Sequence, residues 1–223
     1  SRGWTSPEIV FSLVAGVVLL IAFVAWERRA REPMLPMRFF RNRAFAAANA
    51  ASLLMFFGMF GSIFLLTQYL QNVQGNSPLE AGVRMLPWTG MLMIVAPIAG
   101  ALSDRIGARP LIVTGMALQA TALAWLAAIT APDAAYADLV PAFVLAGVGM
   151  GLFFAPVAAV VLGAVRSSEA GKASGANNSI RELGGVFGVA VLASVFTHQG
   201  GYGSAAVFTD GIVPALWVGA AVV

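Results

Sequence analysis

Apolar runs of membrane-crossing length recur along this chain, and they leave little choice of fold. Ile9 to Trp26 passes 18 residues without a charge. At about 1.5 Å per residue, a helix of that length nearly matches a bilayer core of about 30 Å. Further runs follow at Ala44–Gln71, Val83–Leu102, Leu111–Ile129 and Asp138–Ala164, and a sixth ends near Thr197. The start of the sixth is open. Ser179-x-x-Glu182 has capping-box spacing, whereas a start near Ser174 would put Arg181 about two turns inside. A seventh begins at Gly211–Val223, whose 13 residues reach only about 20 Å, too short to cross. Charged residues make up 10% of the chain, against about 25% in a soluble domain. Backbone groups inside lipid must be satisfied within their own helix. The expected fold is therefore an all-α membrane protein of six to seven transmembrane helices.

Composition removes several functions. There is no cysteine, so neither a disulfide framework nor a thiolate metal site is expected. The single histidine, His198, rules out a multi-histidine metal site. No paired aspartates, serine–histidine pair or nucleotide-binding P-loop points to an enzyme. A pI near 10 could indicate nucleic acid, but the bases lie beside apolar spans, which fits membrane orientation better. The segments Glu27–Arg43, Ser103–Pro110 and Arg166–Gly175 fall on one side. They hold Arg28, Arg29, Arg31, Arg38, Arg41, Arg43, Arg105, Arg109, Arg166 and Lys172, ten of thirteen bases. The other side has Arg2 and Arg84 with Glu8, Glu80, Asp133, Asp138 and Asp210. The basic side is expected to be cytoplasmic, in a multi-pass cell-membrane protein. Glu27–Arg43 reads either as a loop lying on anionic headgroups or as a partner-binding segment.

Local signals place helix ends and contacts. Thr5–Glu8 and Ser77–Glu80 have capping-box spacing, and Ser77 is expected to start the third span. Gly147 and Gly151 form a G-x-x-x-G pair that lets two helices approach closely. The turn Gly100–Arg109 reads GALSDRIGAR and is short enough to demand adjacent antiparallel helices. Gly107 suits a positive φ, and Pro110 is expected to open the next helix. Asp104 is expected to face that helix's positive end or to bond Arg105 or Arg109.

Two intramembrane features invite a functional reading. Asn49, Phe56, Phe60, Thr67 and Gln71 share one face of the second span, so they line either a substrate cavity or a contact with neighbouring helices. Arg181 and Glu182 are adjacent and point about 100° apart, so they form no face-to-face pair. They are either an interfacial pair at a helix start or an intramembrane charge at a cavity edge.

Six positions of the charged turn, Gly100, Leu102, Asp104, Arg105, Gly107 and Arg109, resemble the loop signature of the major facilitator superfamily of secondary transporters. Further stretches resemble its branch of fourteen-span, proton-coupled multidrug antiporters. These are Gln74–Gly82 with Leu86 and Pro87; Gly147-x-Gly149-x-Gly151 with Ala155 and Pro156; and Gly171–Gly175 followed by Asn178, Arg181, Gly184, Gly185 and Gly188. Arg166–Glu169 departs from the proline-containing turn of that branch.

The resemblance implies a fragment of a longer transporter. Residues 1–26 would be a linker helix, 27–43 a basic cytoplasmic loop, and 44–223 the C-terminal bundle with its last helix truncated. It implies a gate at Gly100, Asp104, Arg105, Gly107 and Arg109, and packing at Gly184 and Gly188. Substrate would be a small lipophilic, often cationic molecule and protons the coupling ion, with no cofactor beyond the proton gradient. The proton-coupling acid would lie in the N-terminal half, which would also be the chain's partner. The rival readings are a nutrient uptake carrier of the same superfamily and a non-transporting membrane scaffold.

Overall fold

The computed structural model describes residues 7–30 and 33–223. Thr5, and with it the Thr5–Glu8 capping box, Trp4, Arg2, Arg31 and Glu32 lie outside the described residues. The described chain is helical throughout: α1 Pro7–Glu27, α2 Arg43–Asn72, a short α3 Pro78–Arg84, α4 Leu86–Ile106, α5 Ala108–Ile129, α6 Tyr136–Gly163, α7 Ala170–Gln199 and α8 Ala205–Val222. Short 3-10 turns cover Met37–Arg41 and Ser167–Glu169. Seven of these helices are long and apolar enough to cross a bilayer.

Three boundaries differ from expectation. The last helix starts at Ala205, not Gly211, because Ser204 accepts a hydrogen bond from Val207 N and caps it. Its 18 residues span about 27 Å, and Asp210 sits in its second turn rather than in a loop. The sixth span, α7, starts at Ala170, before both expected positions. Ser179 is no cap: its hydroxyl donates to Gly175 O within the helix, and Arg181 lies about three turns in. The Ser77–Glu80 capping box forms, but it opens the separate α3. Ser77 holds the Glu80 carboxyl below the usual carboxylate range through its backbone and side-chain hydrogen bonds. Met85 divides α3 from α4, two residues before Pro87, whose ring would collide with the Val83 carbonyl in one continuous helix.

Helices α2 and α4–α8 form one bundle in which neighbours pack in the order α4, α6, α5, α8, α7, α2, and α2 also touches α8. Helix α1 makes no extensive contact with the bundle, and its large apolar side chains that are described, from Val10 to Trp26, are exposed. Helices α4 and α5 are consecutive, yet each packs mainly on α6. Glycine explains that arrangement. Gly147 lies under the Trp88 carbonyl, and a Cβ there would also come within 2.7 Å of Met91 Cβ on α4. A Cβ on Gly151 would sit 2.6 Å from Val95 Cβ. On another face of α6, Gly149 meets Gly115 of α5 backbone to backbone, with each added Cβ within 2.7 Å of the other's carbonyl. Gly184 and Gly188 do the same for α7 and α2, against the Leu53 and Phe57 carbonyls, and Gly61 faces Gly188 in return.

Polar contacts tie the connections together at both ends of the bundle. On the basic side, Asn42 accepts from Ala44 N at 2.9 Å to cap α2 and donates to Ala164 O at 3.2 Å. Arg38 pairs with Glu169, and Lys172 donates to Pro33 O at 2.8 Å. The basic segment is thus docked on the α6–α7 connection. At the other end, Arg84 stacks over the Tyr136 ring and donates to Gln74, while Tyr69 donates to Ala131 O at 2.6 Å.

Close approach at α6 makes a paired prediction. Gly147→Ala should destabilise the bundle by about 1–3 kcal/mol through overpacking. Gly90→Ala, on α4 with open space around its Cβ, should be neutral or slightly stabilising. Thermal unfolding of the two variants in detergent checks the contrast.

Candidate functional site

Three helices bring one charge and two rings together inside the bundle. Arg181 lies 11 residues into α7, about 16 Å from its start. Its guanidinium sits 4.4 Å from the centroid of Phe56 on α2 and 3.9 Å from that of Phe154 on α6. Contacts of this kind are worth about 0.5–2 kcal/mol each, more when desolvated. The rings also touch each other, with centroids 6.1 Å apart. Phe60 continues the surface from Phe56, 5.7 Å away, over the bare backbone of Gly185. Phe56 is buried, whereas Phe60 is 39% exposed and offers its ring to the open side of the bundle.

One turn toward the basic side, a polar cluster crosses from α7 to α2. Asn177 Nδ2 donates to Asn49 Oδ1 and Ser52 Oγ, both at 3.0 Å, and Asn49 donates to Phe45 O at 2.8 Å. All three side chains are buried. Asn49 is therefore engaged with the neighbouring helix. Thr67 and Gln71 are half-buried near the far end of α2, 11 and 15 residues beyond Phe56, and stand apart from the ring cluster. Glu182 is exposed, next to Arg181 in sequence but about 100° round the helix.

The Arg181 guanidinium makes no hydrogen bond or ion pair with the described residues, and its Nε is buried without a partner. No acid is near it on the surrounding helices. α2 has none, and the one acid of α6, Asp138, is 16 residues from Phe154, about 24 Å along the helix. Sequence reasoning missed Phe154, because a phenylalanine in an uninterrupted apolar run carries no sign of what it faces.

The charged turn differs in form from expectation. Asp104 and Arg105 belong to the last turn of α4, Gly107 is the single residue between helices, and α5 starts at Ala108. Pro110 is thus the third residue of α5, still within the turn whose N–H groups have no intrahelical partner. Gly107 has φ 85° and ψ 158°, a conformation essentially restricted to glycine. Asp104 is exposed and forms no ion pair with Arg105 or Arg109 among the described residues, so the expected bond is not made. Each charge is set against its own helix. Asp104 stands at the negative end of α4 and Arg109 at the positive end of α5. The one-residue link brings those two ends together, which offsets the conflict.

The described residues thus form a multi-pass helical bundle with a charged inter-helix turn and one charge stacked on rings inside it. Residues 1–189 match the family model of the Major Facilitator Superfamily, and the chain belongs to that family. It is 36% identical over 193 residues to the multidrug resistance protein Stp of Mycobacterium tuberculosis, covering 86% of this chain and 36% of that protein. It is 34% identical over 199 residues to the tetracenomycin C resistance and export protein of Streptomyces glaucescens (89% and 37%). It is 35% identical over 197 residues to the lincomycin resistance protein of Streptomyces lincolnensis (87% and 41%). The chain spans well under half the length of these relatives.

The Gly107 conformation gives a prediction that separates backbone strain from sterics. An added Cβ there meets nothing within 4 Å. Gly107→Ala should still cost about 1–3 kcal/mol, from strain alone. Unfolding in detergent checks it, with Gly163→Ala as a control at another open position.

Proposed function

We propose that this chain is the C-terminal part of a secondary transporter that exports drug-like lipophilic compounds by alternating access, driven by the proton gradient. The carrying observation is the aromatic surface of Phe56, Phe60 and Phe154 around Arg181, inside the bundle and partly exposed at Phe60. Transporters place their substrate sites near the midplane, at the interface between repeats. The relatives named for multidrug, tetracenomycin C and lincomycin resistance support export over uptake. In this reading residues 1–26 are a linker helix, 27–43 a basic loop and 44–223 the C-terminal bundle. The basic side is cytoplasmic, and the proton-coupling acid belongs to the N-terminal half, the natural partner of the bundle's open face.

The substrate surface of this reading is Phe56 and Phe60; Asn49, buried in its bond with Asn177, braces α7 behind it, and Thr67 and Gln71 lie on the same helical face nearer the far end. Phe56→Ala and Phe60→Ala should each change which compounds are exported, while leaving the amount of inserted protein within about twofold. Uptake and efflux assays with a panel of fluorescent drugs check this; an unaltered profile sinks the assignment.

The charged turn is proposed as the cytoplasmic gate, built from Gly100, Asp104, Arg105, Gly107 and Arg109. Asp104 is exposed and opposed by its own helix dipole, which fits an acid whose partner belongs to another part of the transporter. Charge-assisted bonds of about 1.5–3 kcal/mol are of the size that a rocking motion can make and break. Asp104→Asn should insert normally and bind substrate, yet export poorly, with altered labelling of cytoplasmic cysteine probes. If its export per molecule equals wild type, the gate assignment is wrong; if activity falls only as protein falls, the turn merely fixes topology.

A further inference from the structure

We infer that the Arg181 site takes an anionic group, so the substrates it favours are aromatic or lipophilic compounds carrying a sulfonate, carboxylate or phenolate. This rests on the efflux reading above and specifies the chemical class of its substrate. A guanidinium inside an apolar helical bundle is costly unless it is paired. Here Phe56 and Phe154 pack against it from two directions, which holds the group in place but supplies no counter-charge. Its buried Nε has no acceptor. Neither α2 nor α6 offers an acid within reach, and Glu182, about 100° round α7, acts on the guanidinium through space without forming an ion pair. The Asn49–Ser52–Asn177 cluster lies one turn away and is satisfied internally, so it does not serve Arg181 either.

What remains is a guanidinium without a hydrogen-bond partner among the described residues, whose donors suit two anionic oxygens side by side. Stacking on rings restricts its orientation in advance, which lowers the ordering cost of binding. Phe60 extends the aromatic surface beside it and is partly open. An anion at Arg181 attached to an aryl body over Phe56 and Phe60 satisfies both halves of the site. A lipophilic cation would meet the same rings but a like charge, which counts against it.

The test uses the full-length transporter in nanodiscs and a matched pair of fluorescent probes. 8-Anilinonaphthalene-1-sulfonate carries the anion; N-phenyl-1-naphthylamine is the same ring system without it. Empty nanodiscs are subtracted. Wild-type protein should bind the sulfonate at least about tenfold more tightly than the neutral probe. Arg181→Gln should abolish that difference, weakening the sulfonate about tenfold while leaving the neutral probe within about twofold; the retained neutral binding shows that the pocket is intact. Arg181→Lys, with a point charge in place of the fork, should keep only part of the preference.

Equal binding of both probes by wild type overturns the inference, and this outcome is expected if an acid of the N-terminal half neutralises Arg181 instead. Unchanged sulfonate binding in Arg181→Gln overturns it too. So does displacement of the sulfonate by tetraphenylphosphonium at lower concentration than by the neutral probe. If Arg181→Gln fails to accumulate, the wild-type preference decides alone. Export of the probes from proteoliposomes under an imposed proton gradient is measured separately. Failed export with the sulfonate preference intact counts against efflux and supports the anion site. Export of both probes without any such preference keeps efflux and removes the anion site.

Discussion

Everything in this bundle depends on backbone meeting backbone. Lipid tails are as apolar as leucine, so burying leucine between helices gains little over leaving it in the bilayer. Cohesion has to come from van der Waals contact at short range, and short range needs positions without a side chain. Helix α6 presents Gly147 and Gly151 to α4 and Gly149 to α5, which is why it holds two helices that scarcely touch each other. Helix α7 presents Gly184 and Gly188 to α2 in the same way. Through these contacts α2 and α7 run together closely enough for Asn177 to reach Asn49 and Ser52. The same approach sets Arg181 between Phe56 and Phe154.

The spans were legible because their signal is long and needs no partner. A run of about twenty apolar residues states its fate in lipid without reference to any neighbour. The misplaced boundaries share a cause. Asp210 looks like a loop residue, yet Ser204 upstream supplies the cap, and one acid in the second turn does not stop a helix. Ser179 and Glu182 carry the spacing of a capping box, but polar residues inside a spanning helix can be turned toward their own backbone, as Ser179 is. The break at Met85 was readable in principle, since Pro87 forbids a continuous helix there. The same stretch contains Pro97, which α4 accommodates in its interior, and nothing local distinguishes the two.

The site was legible by half. Polar and charged residues within spans stand out against an apolar background, so Asn49 and Arg181 could be singled out. Their partners could not. Asn49 is one end of a bond to α7, and the ring that completes the Arg181 stack, Phe154, lies among Leu152, Phe153 and Ala155 with no periodic mark. The stripe on α2 also proved too coarse. A shared helical face runs the full 45 Å of a 30-residue helix, so Thr67 and Gln71 share a direction with Phe56 but not a depth. Direction follows from periodicity, whereas depth has to come from what the other helices place at that level.

Depth also separates the two charged features and gives them different work. Asp104 and Arg109 lie where α4 gives way to α5, outside the apolar spans, and water can solvate them whenever no partner is near. Exposed contacts of that kind are modest, reversible and suited to a surface that closes and reopens. Arg181 has no such freedom. Ring faces hold it, one nitrogen is sealed from solvent, and the glycine contacts at Gly184 and Gly188 fix α7 against α2 just beyond it. Moving Arg181 relative to Phe56 would require those backbone contacts to part. A rocking carrier would therefore carry this cluster as one rigid piece, with the change of access made at the open face and at the Gly107 link. On the proposed division of labour the charged turn would govern which side is open, and the guanidinium what is held there.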